Sequence, residues 1–313
     1  MNKSDRIFIA GHGGLVGSAI LRRLQGMEYP HLLTTDRHEL DLCDSKAVDS
    51  FFAFYRPDYV FLAAAKVGGI YANDAWPADF IRINLEIQTN VIDAAFRHKA
   101  RKLLFLGSSC IYPKDSPQPM REDYLLTGPL EPTNQWYAIA KIAGIKMCQA
   151  YTRQHGFNSI SLMPTNLYGP EDNFNPETAH VIPALIYKFH RAKVEGKPSV
   201  KVWGSGRPRR EFLHVDDLAG AAVFLMNNYD SPDIINVGTG QDISIAELAE
   251  LIKNAVGFSG SIEFSPGMPD GVSRKLLDVR RIDSLGWKAG ISLAEGIRST
   301  YSWFLDNQGK LRM

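Results

Sequence analysis

Ser108, Tyr137 and Lys141 are the side-chain types that polarise a ketone, and their spacing permits them to act together. Ser108 lies in "FLGSSCIYP" (residues 105–113), and Tyr137 and Lys141 bracket "YAIAK". A four-residue interval puts phenol and ammonium one turn apart on one helix face. A nearby ammonium lowers a phenol's pKa, so the tyrosine can protonate a developing alkoxide while the hydroxyl of Ser108 or Ser109 holds the same oxygen. Cys110, two residues past Ser108, adds a thiol that such a reduction does not need. A free cysteine more often packs as a small hydrophobe, and the residues alone favour that reading.

A hydride source is suggested by "GHGGLVG", which sets Gly11, Gly14 and Gly17 between a short apolar run and a helix-period segment. Glycine there permits a tight turn and close approach of a pyrophosphate, whose charge rests on the free N–H groups of the helix N-terminus. After the second apolar run comes "TTDRHELDL". An acid at this point bonds an adenosine ribose 2′-hydroxyl, whereas arginine accommodates a 2′-phosphate. Asp36 and Arg37 are adjacent here, and the two readings conflict.

These groups need a frame. Short apolar runs ("RIFIAG", "HLLTTD", "YVFLAAA", "KLLFLGS") alternate with helix-period segments, including one over residues 77–98 and "NQWYAIAKIAGIKMCQAYTRQHG" ending at Gly156. "SISLMPTNLYGP" reads as one further strand with a loop at its end. Such alternation predicts an α/β fold with a doubly wound parallel sheet of Rossmann type, covered on both faces. Beyond about Pro170 the pattern becomes rich in proline, glycine and polar loops, with "VIPALIYKFHRAKVEG", "SIAELAELIKNAVG" and "SLAEGIRSTYSWFLDNQ" as helices. The expected plan is a dinucleotide-binding domain over residues 1–170, with a segment near 212–240 returning to it. Residues 171–211 and 241–313 form a smaller C-terminal α/β substrate domain, and the ligand cleft lies between the two.

Composition narrows the function classes. The chain has 313 residues, 45% apolar and 22% charged, with a formal net charge of +1. That balance gives no electrostatic footprint for a nucleic-acid or membrane partner. Cys43, Cys110 and Cys148 are odd in number and lack metal-ligand spacing, which favours a reducing cytoplasm and argues against a bound metal. The first strand begins within six residues, leaving no room for a signal peptide, and no apolar run approaches a membrane span. Cys43 and Cys148 are expected in the core, and the histidines other than His180 at helix ends, in loops or in packing.

Taken together, the Gly-rich loop, the strand-end "GSS" and "YAIAK" resemble the extended short-chain dehydrogenase/reductase family, whose members mostly act on nucleotide sugars. "AAAKVGGI", "GSSCIYP", "EPTNQWYAIAKIAGIK", "MPTNLYGPEDNF", "HVIPALI" and "REFLHVDDLA" extend the resemblance over essentially the whole chain. They are similar to the branch that converts GDP-4-keto-6-deoxy-D-mannose to GDP-L-fucose by 3,5-epimerisation and 4-reduction. A 4-keto sugar has acidic protons on both carbons flanking the carbonyl, so groups that polarise the ketone also stabilise an enolate at either carbon. Inversion then needs an acid and a base on opposite faces. The resemblance assigns these roles to Cys110 and to His180 in "NPETAHVIPAL", with Ser108, Tyr137 and Lys141 as the reducing set.

The same resemblance implies an NADP(H) site of Gly11, Gly14, Leu15, Val16, Gly17, Arg37, Asp41, Leu42, Leu106, Gly107, Ser108, Lys141, Pro164, Asn166, Leu167 and His180. It implies a GDP-sugar site of Asn166, Lys188, Trp203, Arg210, Asp270 and Lys275, and a homodimer joined through the helices over 77–98 and 134–156. Guanidinium forks suit phosphate oxygens; a lysine such as Lys188 or Lys275 would by composition alone be a solvated surface residue. Two positions depart from the bacterial pattern of the branch. Gly13 stands where the loop often carries arginine, and Asp36 where a neutral residue often precedes the arginine matching Arg37. Both remove positive potential near a 2′-phosphate; the retained Arg37 keeps NADPH as the expected cofactor. Other enzymes of this fold remain alternatives, namely a nucleotide-sugar 4-epimerase or a 4,6-dehydratase, although "SSCIYP" lacks the carboxylate expected of the latter. A non-catalytic dinucleotide-sensing module would be expected to have lost part of the serine, tyrosine and lysine set.

Overall fold

The computed structural model describes residues 1–175, 178–265 and 271–311. Its first half alternates strand and helix: β1 (Ile7–Ala10), α1 (Leu15–Gly26), β2 (Leu32–Leu33), α2 (Ser45–Tyr55), β3 (Tyr59–Leu62), α3 (Ile70–Ala75), α4 (Pro77–Arg97), β4 (Lys102–Leu106), α5 (Gln135–His155) and β5 (Ser159–Pro164). The second half runs β6 (Asn166–Tyr168), α6 (Val181–Val194), β7 (Ser199–Trp203), β8 (Arg209–His214), α7 (Val215–Asn228), β9 (Ile235–Val237), β10 (Asp242–Ser244), α8 (Ile245–Val256), β11 (Ser261–Ser265), β12 (Arg274–Lys275), α9 (Arg280–Ser284) and α10 (Leu293–Asp306).

The main sheet is six-stranded and parallel, in the order β2-β1-β3-β4-β5-β9. Every residue of β1, β4 and β5 is buried, as continuous apolar runs require when helices cover both faces. Phe8, Val60, Leu103 and Phe105 join one core with α2, α4 and α5, while Ile9, Phe61, Leu104 and Leu162 join another with α1 and α7. This is the doubly wound arrangement of a Rossmann sheet. Cys148 is buried, whereas Cys43 is only half-buried at the edge of the first core.

A third core lies under α6, α8 and α10. Capping boxes start two of these helices: Ser244 with Glu247, and Ser292 with Glu295. The small sheet is built on β8. Antiparallel β10 lies on one side, and β12 and β6 lie end to end and parallel on the other.

Two strand expectations change. "HLLTTD" keeps only two ladder residues, because Asp36 turns back at once, its carbonyl accepting from Glu39 and Leu40 N–H. The end of "SISLMPTNLYGP", expected as a loop, holds a second strand that belongs to a different sheet. Pro164 offers no N–H to extend the ladder, and the side chains of Thr165 and Asn166 both donate to the Glu211 carbonyl of β8, at 3.2 and 2.8 Å. The predicted helix over 77–98 is α4, preceded by the separate short α3.

Candidate active site

The C-terminal ends of β1, β4 and β5 open on one side of the sheet, where ligands bind in open α/β folds. At β1, Gly11 has φ 87°, and a Cβ there would stand 2.7 Å from the Ala64 backbone. A Cβ on Gly17 would run into the Gly11 carbonyl. Gly14 caps α1 without a side chain, and no acid stands in the first turn. The first-turn N–H groups of Leu15, Val16 and Gly17 are therefore left for an external anion. This cradle fits a dinucleotide pyrophosphate. Arg37 is exposed past β2. Asp41 accepts from Cys43 N at 3.0 Å and Leu42 O from Asn90 Nδ2 at 2.9 Å, which fixes the next loop against α4.

At β4, Leu106 and Gly107 lead into a tight turn in which the Ser108 hydroxyl accepts from Cys110 N at 3.2 Å. Gly107 is wedged against Met163, leaving no space for a side chain. Ser109 is buried, whereas Ser108 is half-open and close enough to Tyr137 to act on its pKa. Tyr137 and Lys141 both come from α5. The ammonium lies 5.7 Å from the Tyr137 ring centroid but donates to Leu106 O at 2.7 Å.

The expected effect of lysine on the phenol is not seen. Burial raises the Tyr137 pKa above its ordinary value, Cys110 adds to the rise, and only Ser108 opposes it. Lys141 is itself pushed down to about 7 by burial. A buried ammonium bonded to a neutral carbonyl has no compensating anion, so it loses charge rather than lending it to its neighbour.

Cys110 is drawn into this cluster from two directions. Asn134 Nδ2 approaches its sulfur at 3.5 Å and Lys275 Nζ at 3.7 Å. Lys275 arrives because β12 pairs with β8 in the register Lys275 to Arg210, just short of the junction where β6 takes over. Arg210 and Lys275 are thus neighbours on adjacent strands, and Arg210 Nη1 donates to Arg209 O at 2.8 Å. Lys188 and Trp203 form a second group, the ammonium 4.6 Å from the indole ring centroid, and burial lowers the lysine pKa. Asn166 anchors to Glu211 O, Pro164 ends β5, and Leu167 packs on the core beneath α7. Asp270 lies outside the described residues.

His180 is the N-cap of α6. Its side chain is exposed at the surface, yet the protein around it displaces enough water to lower its pKa. The segment before it is tied to the loop after β3 by Gly69 N–H, which donates to Thr178 O at 3.3 Å. Two participants escaped the sequence reading. Asn134 touches Cys110, and its buried Oδ1 has no hydrogen-bond partner; its place three residues before Tyr137 was the available signal. Glu211 is fully buried and accepts from Thr239 N at 2.6 Å, Gly240 N at 2.7 Å and Leu277 N at 2.9 Å. It ties the segment carrying Lys275 to β8 and to the loop after β9.

Known proteins resemble this chain in sequence and in fold. The profile of the NAD dependent epimerase/dehydratase family matches residues 7–238. The chain is 59% identical to a putative GDP-L-fucose synthase 2 of Arabidopsis thaliana, over 98% of this chain and 94% of that protein. It is 55% identical to the GDP-L-fucose synthase of Escherichia coli, over 98% and 99%. Among solved structures, a GDP-L-fucose synthetase from Naegleria fowleri bound to NADP superposes with a TM-score of 0.92 at 28% identity, covering 100% of this chain and 98% of that one.

Proposed function

The chain belongs to the NAD dependent epimerase/dehydratase family, and we propose that it is an NADPH-dependent enzyme that epimerises carbons 3 and 5 of GDP-4-keto-6-deoxy-D-mannose and reduces carbon 4, giving GDP-L-fucose. The observation that carries this reading is the thiol of Cys110 inside the carbonyl-polarising cluster, contacted by Lys275 from the substrate half. A 4-epimerase or a 4,6-dehydratase has no evident use for that group.

Ser108 and Tyr137 hold the 4-keto oxygen. Cys110 and His180 form the acid/base pair on opposite faces of the sugar: one takes the proton from carbon 3 or 5, the hydrogen-bonded oxygen carries the enolate charge, and the other returns a proton to the far face. A dinucleotide held by the Gly11–Gly17 loop would supply the hydride for carbon 4. Tyr137 then gives its proton to the alkoxide, a task suited to a phenol that burial keeps protonated. Arg210 and Lys275 neutralise the diphosphate, Lys188 and Trp203 receive the nucleoside end, and Asp270 joins them.

Residues 1–170 with 212–240 form the cofactor domain, and 171–211 with 241–313 the substrate domain. We place the enzyme in the cytoplasm as a homodimer. Supporting the dimer, α4 and α5 pack on each other and leave Trp76, Trp136 and Ile139 exposed. Among the described residues no helix is long and apolar enough to cross a membrane.

The test is incubation with NADPH and the 4-keto sugar in deuterated water, followed by NMR of the product. The proposal expects stoichiometric NADPH oxidation and deuterium at carbons 3 and 5. Sugar isomerisation without net oxidation would replace it with a 4-epimerase, and reduction without deuterium with a simple reductase.

A further inference from the structure

Resting on the role that the proposed function gives His180, we propose that Gly69, in the loop between β3 and α3, is a positioning residue for that imidazole. Its N–H and its missing side chain hold the backbone of Thr178 and Ala179 where His180 can reach the sugar. The loop belongs to "AAAKVGGI", a stretch to which the proposed chemistry gives no task.

Gly69 has no conformational need to be glycine, because its φ of −65° and ψ of −179° suit any residue. What the position lacks is room. A Cβ there would stand 3.3 Å from Thr178 O and 3.5 Å from Ala179 O, and Gly69 N–H donates to that same Thr178 carbonyl at 3.3 Å. The contact falls one and two residues before His180, so the imidazole follows any shift of this backbone.

Both sides of the contact are tied down by asparagines. Buried Asn84 grips the Lys66 backbone twice, its Oδ1 accepting from Lys66 N at 3.0 Å and its Nδ2 donating to Lys66 O at 3.0 Å. Buried Asn73 donates from Nδ2 to Gly68 O at 2.8 Å and to Gly69 O at 3.0 Å. A Cβ on Gly68 would lie 3.1 Å from Phe80 Cζ, and the Phe80 ring stands edge-on to Tyr137 with 6.4 Å between centroids. The loop is thereby placed relative to the proton donor of the reducing set. Across the contact, Asn175 O accepts from Ala179 N at 2.9 Å, Asn175 Oδ1 accepts from Thr178 N at 3.2 Å, and Asn173 Nδ2 donates to Thr178 Oγ1 at 2.9 Å. His180 follows as the N-cap of α6, its side chain taking no part in capping. With neither side slack, a displacement at Gly69 passes to His180 rather than being absorbed.

Proton transfer tolerates little misplacement, since a shift of about 1 Å can cost about 100-fold in rate. A methyl group at residue 69 obliges the facing carbonyls to give by a few tenths of an ångström. The test follows deuterium entering carbons 3 and 5 of the 4-keto sugar by NMR, at saturating sugar and with oxidised cofactor bound so that hydride transfer does not run. Gly69→Ala should slow exchange by roughly tenfold, while NADPH titration and the thermal melt match the wild type. In a His180→Gln background the same substitution should leave the residual exchange unchanged, because its effect runs through the imidazole. Asn73→Ala, which frees the Gly68 and Gly69 carbonyls, should show the same pattern and carries the decision if Gly69→Ala does not fold. Wild-type exchange in the folded variant, or an equal loss with and without the imidazole, overturns the inference and leaves the proposed function standing. Absence of exchange in the wild type overturns the proposed function beneath it.

Discussion

Replacing Cys110 with serine separates epimerisation from reduction. The sulfur has Asn134 Nδ2 at 3.5 Å and Lys275 Nζ at 3.7 Å, both acceptable for sulfur and both beyond the ordinary reach of an N–H···O bond. A serine oxygen sits on a shorter bond, so it withdraws from both partners as well as being far harder to ionise than a free thiol, whose pKa is about 8.5. General acid–base catalysis ordinarily contributes about 100- to 10,000-fold, and loss of one member of the pair should slow exchange by that factor, or roughly 2.7 to 5.4 kcal/mol of barrier. Ser108, Tyr137 and Lys141 remain in place. The assay follows deuterium entering carbons 3 and 5 by NMR alongside NADPH oxidation. In Cys110→Ser, exchange should collapse while slow reduction of the unepimerised ketone persists, giving a product of different stereochemistry. His180→Gln should also impair exchange, acting on the opposite face. If Cys110→Ser exchanges both protons at the wild-type rate, the thiol is merely packed under the turn.

Tyr137→Phe should lower reduction by about 100- to 10,000-fold while cofactor titration stays unchanged, and near wild-type turnover would move the proton donor elsewhere. Lys141 adds a pH dependence to stability. Its pKa is about 7 in the fold and about 10.4 unfolded, so between those values the unfolded chain holds a proton that the folded chain lacks, and stability rises with pH. Below about pH 7 both states carry the charge and the contribution levels off. Denaturant melts from pH 7 to 9.5 should therefore show a shallower rise in Lys141→Met than in wild type; parallel slopes would contradict the shift. Glu211→Gln places an amide NH2 where backbone N–H groups of Thr239, Gly240 and Leu277 now donate. One unsatisfied buried donor costs about 1 to 3 kcal/mol, so the melting temperature should drop by several degrees, and an unchanged melt would mean the loop relaxes freely.

Which parts could be read from sequence follows from how far each depends on chain neighbours. The Gly17 contact is local, because a strand turning at once into a helix brings the Gly11 carbonyl against it and leaves no volume for a Cβ, and glycine spacing reports that directly. Tyr137 and Lys141 share a helix face for the same local reason. Their electrostatics are not local: whether an ammonium stays charged depends on how much water and which carbonyl surround it, and Lys141 found Leu106 O and burial instead of an anion. The split of "SISLMPTNLYGP" was likewise hidden, since Thr165 and Asn166 leave the main sheet for a carbonyl on β8.

The contact between Cys110 and Lys275, 165 residues apart, lies furthest from sequence reach. It exists because β12 stops at the register where β6 begins on the same edge of β8, a junction clamped by buried Glu211. Under the proposed function, the proposed cofactor domain carries Ser108, Tyr137 and Lys141, while the thiol gains its cationic neighbour from Lys275 of the proposed substrate domain. Reduction then belongs mainly to one half and epimerisation to the seam between them. Perturbing the Glu211 clamp should then injure proton exchange more than hydride transfer. The ratio of the two rates in Glu211→Gln distinguishes a seam that serves the thiol from one that only holds the domains together, for which both rates would fall alike.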